Sequence, residues 1–335
     1  VSARPVAVVG AGVAGLSLSY ALGLRGVPVV LFERGRVGAQ GASSGPAALL
    51  NPYRGRSARA HADDLAGLAA FWRRDRALRE QGLDPGAERT GVLRVAPDAR
   101  RARAWRQREG ARWLEPHEVP PPYHAPHGAL LAEHGGWLRP RALLAALCKA
   151  ATARDAEVRQ GVRVLRLERA TDGIRLVTSA GSSTAARVVL CVGADASPEL
   201  PLPELRYVAG EMVEVATDGL TPAPRLPLGG SVYAAFERGR GYVGGGHRDP
   251  EAPDPQAPRR LLERLDETLP GIGAGPGLAL WSGVRAAGET PRPLVLEAAP
   301  HVTFFGALSG RGFLISAYLA ERLAGELADR LAREG

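Results

Sequence analysis

Val6-Ala7-Val8-Val9-Gly10-Ala11-Gly12-Val13-Ala14-Gly15, continued through Leu16–Leu22 to Val27-Pro28-Val29-Val30-Leu31-Phe32-Glu33, decides the fold. The two apolar runs read as strands and the stretch between them as a helix. Gly10 permits the tight turn out of the first strand. Gly12, with no side chain, lets a pyrophosphate approach the backbone, and Gly15 lets the helix pack closely on the strand. The helix start offers unpaired N–H groups and the positive end of its dipole to phosphates. Glu33 closes the second strand, where a carboxylate accepts hydrogen bonds from a ribose diol. Strand, glycine turn, helix, strand and acid fall in register, which predicts a dinucleotide site in an α/β fold.

Downstream, residues 35–52 form a loop of small and hydroxyl residues, either a close approach to a cofactor or an ordinary turn-rich connection. Apolar spacing predicts a helix over Asp63–Arg79, with its arginines on a solvated face. Residues 82–128 are irregular, apart from strand-like pieces such as Val92–Val95. A helix follows from Pro140 to Ala153, proline suiting the first turn. Arg187–Val192 reads as a buried parallel strand. Residues 206–246 shift to β character at Tyr207–Val215, Ser231–Phe236 and Tyr242–Gly246. A helix spans Arg259–Leu269, Val302–Gly306 is a further buried strand, and Ser309-Gly310-Arg311-Gly312 opens a final helix over Phe313–Arg333.

The 335 residues are enough for a large core and one catalytic unit of two interwoven domains. Cys148 and Cys191, in apolar stretches, make neither a disulfide framework nor a zinc cluster. No His/acid pair has metal-ligand spacing, so no metal is expected, and no serine nucleophile elbow is present. Of 43 basic residues only Lys149 is a lysine, and the formal charge is +8. Coding bias explains the arginine preference but not the sign of the charge, which is compatible with nucleic acid. No apolar run reaches about 18 residues, so no membrane-spanning helix is expected. Glycines interrupt the first apolar stretch, which therefore does not read as a signal peptide, and the expected location is the cytoplasm.

The opening unit, GASSGPAALLNP at 41–52, CVGADAS at 191–197, WSGVRAAG at 281–288 and ALSGRGFLISAYLAERLA at 307–324 together resemble the D-amino-acid-oxidase family of flavoproteins. The likeness covers most of the chain, with 53–128 poorly matched. Two subgroups look nearest. One is glycine oxidase. The other, carried also by GALLAEHGGWLRPRALLAAL at 128–147, is the FAD domain of the bifunctional enzyme that matures carboxymethylaminomethyl-uridine at the tRNA wobble position.

The resemblance implies a Rossmann-like FAD-binding domain (1–80, 138–200 and 278–335) interwoven with an α+β substrate domain on a mostly antiparallel sheet (81–137 and 201–277). It implies non-covalent FAD, since no cysteine lies in the final third. It places the pyrophosphate at Gly10, Gly12, Val13, Ala14 and Gly15, the adenosine ribose at Glu33 and Arg34, and Ala42, Ser43 and Ser44 near the phosphates and flavin. Val164 meets the adenine, Gly193 lies by the cofactor, and Gly310, Arg311, Gly312, Phe313 and Leu314 border the flavin pyrimidine ring.

It further implies an amine oxidase or dehydrogenase that breaks the C–N bond of glycine or an N-substituted glycine, with hydride passing to flavin N5. The partner is a small amine or amino acid, or tRNA. Arg285, Arg311 and Tyr233 hold the substrate carboxylate, because a fixed arginine clamp orients the Cα–H bond. No side chain is assigned as a catalytic base. A D-amino-acid or sarcosine-type oxidase, and a flavin-binding protein without oxidase activity, are the alternatives. His247 and His134 read as loop or strand-end residues, Trp137 and Trp281 as core or wall.

Overall fold

A computed structural model describes residues 4–171, 173–230, 232–250, 254–273, 277–290 and 292–334; the side chains of His247, Arg248 and Leu278 lie outside what it describes. Its centre is a six-stranded sheet in the order Leu294–Ala299, Val302–Gly306, Arg187–Leu190, β1 (Val6–Val9), β2 (Val29–Glu33), Glu157–Gln160. Every neighbouring pair is parallel except the antiparallel edge strand Leu294–Ala299. The central strands are apolar on both faces, as they must be when both faces are covered. β1 is buried throughout.

One face carries helices. α1 (Val13–Gly23) buries all of Val13–Leu22, because α2 (Ala62–Glu80), α4 (Pro140–Thr152) and α6 (Gly312–Glu334) cluster with it. Glycine brings α2 and α6 close together: a Cβ at Gly67 would lie 2.7 Å from the Leu314 carbonyl oxygen. The other face carries a meander of Val164–Ala170, Gly173–Thr178 and Gly181–Ala185, whose Ile174 and Leu176 enter the second core. The short helix α3 (Ala99–Trp105), capped by the Asp98 carboxylate on the Arg101 N–H at 2.7 Å, lies in the stretch expected to be irregular.

A second, antiparallel sheet runs in the order Val232–Glu237, Arg240–Arg248, Arg206–Ala216, Gly277–Ala287. One side of it packs on α5 (Ala257–Asp266) through Leu261 and Leu265; Met212, Tyr233 and Trp281 pack on its other side. Residues 278–287 belong to the long strand Gly277–Ala287, which pairs with Arg206–Ala216 along its length. The six-stranded sheet resumes at Leu294. Two three-stranded sheets complete the fold, Ala48–Leu50 with Gly136–Leu138 and Ala87–Glu88, and Val92–Val95 with Ala129–Ala132 and Arg112–Leu114.

Candidate functional site

The turn after β1 is closed to side chains where the chain packs and open where a ligand must approach. Gly10 has φ +103°, and a Cβ there would lie 2.7 Å from the Cys191 carbonyl oxygen. A Cβ at Gly15 would lie 1.9 Å from the Gly10 carbonyl oxygen. At Gly12 the only neighbour is Ser43 Oγ at 3.3 Å, which accepts the Val13 N–H at 3.2 Å. Glu33 is fixed at the end of β2 because its two oxygens accept the N–H groups of Ala11 (2.9 Å) and Gly35 (2.8 Å). Next to it, Arg34 pairs with Asp195, which also meets Arg163 at 3.4 Å.

These residues line a cavity of about 1920 Å³, beyond the roughly 300–1,000 Å³ of common small-ligand sites. Gly10, Gly12, Val13, Ala14, Glu33 and Arg34 line its first part together with Ala42, Ser43, Val164 and Gly193. It continues past Gly310, Gly312, Phe313 and Leu314 to Tyr233 and Arg285. A long groove, a glycine turn at a helix start and a fixed carboxylate together fit a dinucleotide. Gly15 lies beneath the turn. Ser44 is buried, donating to the Gly41 carbonyl (2.8 Å) and accepting from Trp281 Nε1 (3.2 Å). It thereby fixes the Trp281 indole in the wall of the cavity.

The wall at the Tyr233 end of the cavity comes from strand register. Tyr233, Gly244, Met212 and Trp281 stand in one cross-strand row, so their side-chain positions share a face. Glycine in that row makes room: a Cβ at Gly244 would lie 2.5 Å from Tyr233 Cζ. Along the next strand a Cβ at Gly283 would lie 2.4 Å from the Trp281 ring, and one at Gly210 would lie 2.9 Å from Arg285 Nη2. The two bulky rings and the guanidinium thus lie down on a glycine floor. Arg285 donates through Nη2 to the Gly246 carbonyl at 2.8 Å. Its Nη1 lies 3.6 Å from where a Gly310 Cβ would stand, which brings the clamp to the start of α6. Burial pushes the Tyr233 phenol pKa up, while the positive field of Arg285 opposes it. The phenol stays a proton donor next to that guanidinium.

Arg311 stands apart from Arg285 and Tyr233. Its side chain is buried and turned to Asp64 of α2, with Nη1 3.5 Å from Oδ1, and it does not line the cavity. Burial and the like charge of Arg54 push its pKa down, and Asp64 opposes them. A partially buried guanidinium needs a carboxylate, and the motif Gly-Arg-Gly does not reveal that Asp64 supplies one. The sequence reading also missed Asp195, Arg54 and Arg94, which line the cavity; two of these are arginines among 42 and carry no local motif. His134 contacts Arg89 instead of the cavity. Among the described residues no group of His, Cys, Asp and Glu could hold a metal, and both thiols are free.

Comparisons with known proteins agree with this geometry. The family described as DAO, FAD dependent oxidoreductase, matches residues 5–326. The chain is 33% identical over 325 residues to the tRNA 5-methylaminomethyl-2-thiouridine biosynthesis bifunctional protein MnmC of Maricaulis maris, covering 96% of this chain and 52% of that protein. The protein of the same name from Burkholderia thailandensis is 30% identical over 320 residues, covering 89% and 49%. The chain thus spans about half the length of the curated relatives it matches. Among solved structures, glycine oxidase from Geobacillus kaustophilus superposes with a TM-score of 0.83 at 25% identity, covering 98% of this chain and 95% of that one.

Proposed function

The chain belongs to the family of FAD-dependent oxidoreductases, and from that premise we propose that it oxidises the C–N bond of an N-substituted glycine whose carboxylate is held by Arg285 and Tyr233. The observation that carries this reading is the pair itself, seated on glycine and aimed into the cavity beside Gly310. Gly10, Gly12, Val13 and Ala14 receive the pyrophosphate of FAD, and Glu33 its ribose. Bound FAD supplies a two-electron acceptor at flavin N5.

The residues of the chain perform the positioning. Arg285 offers a charge-assisted, forked contact to a carboxylate, and Tyr233 adds an O–H donor. With the carboxylate fixed, Cα is held in place and the orientations open to its C–H bonds are restricted, which is an entropic advantage. Hydride leaves Cα, the nitrogen loses a proton and a C=N bond forms. Water then hydrolyses the imine to glyoxylate and an amine. A neutral substrate amine needs no strong base.

The favoured N-substituted glycine is the carboxymethylaminomethyl group on a tRNA wobble uridine. Its terminal atoms are those of glycine, and relatives covering nearly the whole chain are named for tRNA 5-methylaminomethyl-2-thiouridine biosynthesis. The test is anaerobic mixing of the holoenzyme with glycine, sarcosine, D-alanine, D-proline and undermodified tRNA, followed near ~450 nm where the oxidised flavin absorbs. Bleaching by tRNA alone is the expected result. Bleaching by a free amino acid alone moves the substrate to that molecule, and a yellow protein bleached by none of them removes the amine-oxidation reading.

A further inference from the structure

The same cavity has a second charged wall. At its centre is Arg94, on the strand Val92–Val95, only 7% exposed. Its guanidinium donates to the carbonyls of Tyr53 and Gly55, the latter at 2.8 Å, and lies over the Trp105 ring at 5.0 Å. Its Nε is buried with no hydrogen-bond partner, and no carboxylate among the described residues pairs with it. Arg54 stands in the loop that Arg94 ties down. It gives Nη2 to both oxygens of the buried Asp64 (3.0 and 3.3 Å), and its Nε is also buried without a partner. Arg311 shares that carboxylate. Arg56 and Arg101 extend the wall towards the mouth; Arg101 pairs with Asp98 at 2.6 Å, and Arg56 has no ion pair among the described residues.

Cations outnumber carboxylates here, and a guanidinium taken out of water without a counter-charge is unfavourable. An anion in the cavity relieves it. The carboxylate of a small amino acid is already committed to Arg285. A wall of four arginines, drawn from residues 54–56 and 94–101, suits a ligand with more than one negative group, and the arginine fork matches phosphate. We propose that Arg54, Arg56, Arg94 and Arg101 form a phosphate subsite that holds the backbone phosphodiester of an RNA while its modified base enters the amine site. This rests on the tRNA-borne reading above and extends it from the reacting group to the polymer.

The test uses the holoenzyme and a fluorescein-labelled tRNA anticodon stem-loop, with binding followed by anisotropy across a salt series. The double variant Arg56→Ala/Arg101→Ala is the primary probe, since Arg94→Ala also removes the tie to residues 53–55. Arg54→Gln is the second probe. The double variant should weaken binding ~10-fold at about 0.1 M salt and lower the slope of log Kd against log salt by ~1–2, the signature of lost phosphate contacts. Excess uridine monophosphate at matched ionic strength should not displace the RNA.

Unchanged affinity and slope in both probes overturn the subsite. Displacement by the mononucleotide overturns the assignment to RNA. Flavin bleaching is read in the same proteins. Bleaching by sarcosine or tRNA together with arginine-independent RNA binding removes the subsite and leaves the amine reading intact. Arginine-dependent RNA binding with no bleaching by any amine removes the amine reading instead.

Discussion

The two ends of the cavity, the one proposed for the cofactor and the one proposed for the substrate, are built on opposite plans. At the first, backbone does the work: glycines at 10, 12 and 15 shape a turn between buried parallel strands, and the Glu33 carboxylate is held by two N–H groups. At the second, side chains do the work, and glycines only clear the floor on which Tyr233, Trp281 and Arg285 lie. A site made of backbone tolerates almost no change at its glycines but much at its neighbours. A site made of side chains is tuned residue by residue without loss of the fold.

The sharpest way to break this contrast is Gly15→Val. Its Cβ would be 1.9 Å from backbone, and backbone cannot rotate away. A loss of about 3 kcal/mol or more should appear as an apoprotein or insoluble chain, measured by flavin content and thermal melting. Arg285→Ala comes next. It should retain flavin but lower kcat/KM for the amine by roughly 10²–10³, the usual cost of removing one partner of a charged contact. Gly244→Ala should cost less, because the Tyr233 ring can shift: about ~10-fold in kcat/KM with flavin content unchanged, close to the ~3–10-fold expected for Tyr233→Phe from one lost hydrogen bond. If Gly244→Ala instead loses flavin, the two ends are not independent.

The smallest effect is in pH. Burial pushes the Cys191 thiol up, so the folded chain keeps that proton when the unfolded chain, near about 8.5, has lost it. Its contribution is therefore complete below that value and is lost as pH rises above it, by less than about 1 kcal/mol at pH 9 and about 1.4 kcal/mol per further unit. Cys191→Ala should show a shallower fall of Tm with alkali. At the substrate end the Tyr233 phenol is also pushed up. Amine KM should then show no break attributable to it below about pH 10.

The two plans also explain what was legible in the sequence. Gly10, Gly12, Gly15 and Glu33 are read from spacing alone, because strand, turn and helix are local and each glycine has a local reason. The strand Gly277–Ala287 was not read as one; its Trp281-Ser282-Gly283-Val284-Arg285 core was visible only as a motif, since glycine and arginine give no alternation of apolar residues. Arg285 and Arg311 looked equivalent on the page. They diverge in space because one finds the Gly246 carbonyl and the other finds Asp64, partners remote in sequence. Arg54 and Arg94 were illegible for the same reason.

The sheet order has a consequence for how the protein is made. The glycine turn is synthesised long before the outer strands of its own sheet. Its floor, however, is the strand Arg187–Leu190, and that strand is flanked in turn by Val302–Gly306. The roof over α1 is α6, joined through Ser17 and Ser316. The nascent chain must therefore carry an incompletely paired, apolar β1 until residues 187–190 and then 302–306 have been made. Chains halted before residue 302 should emerge colourless and prone to associate, whatever flavin surrounds them.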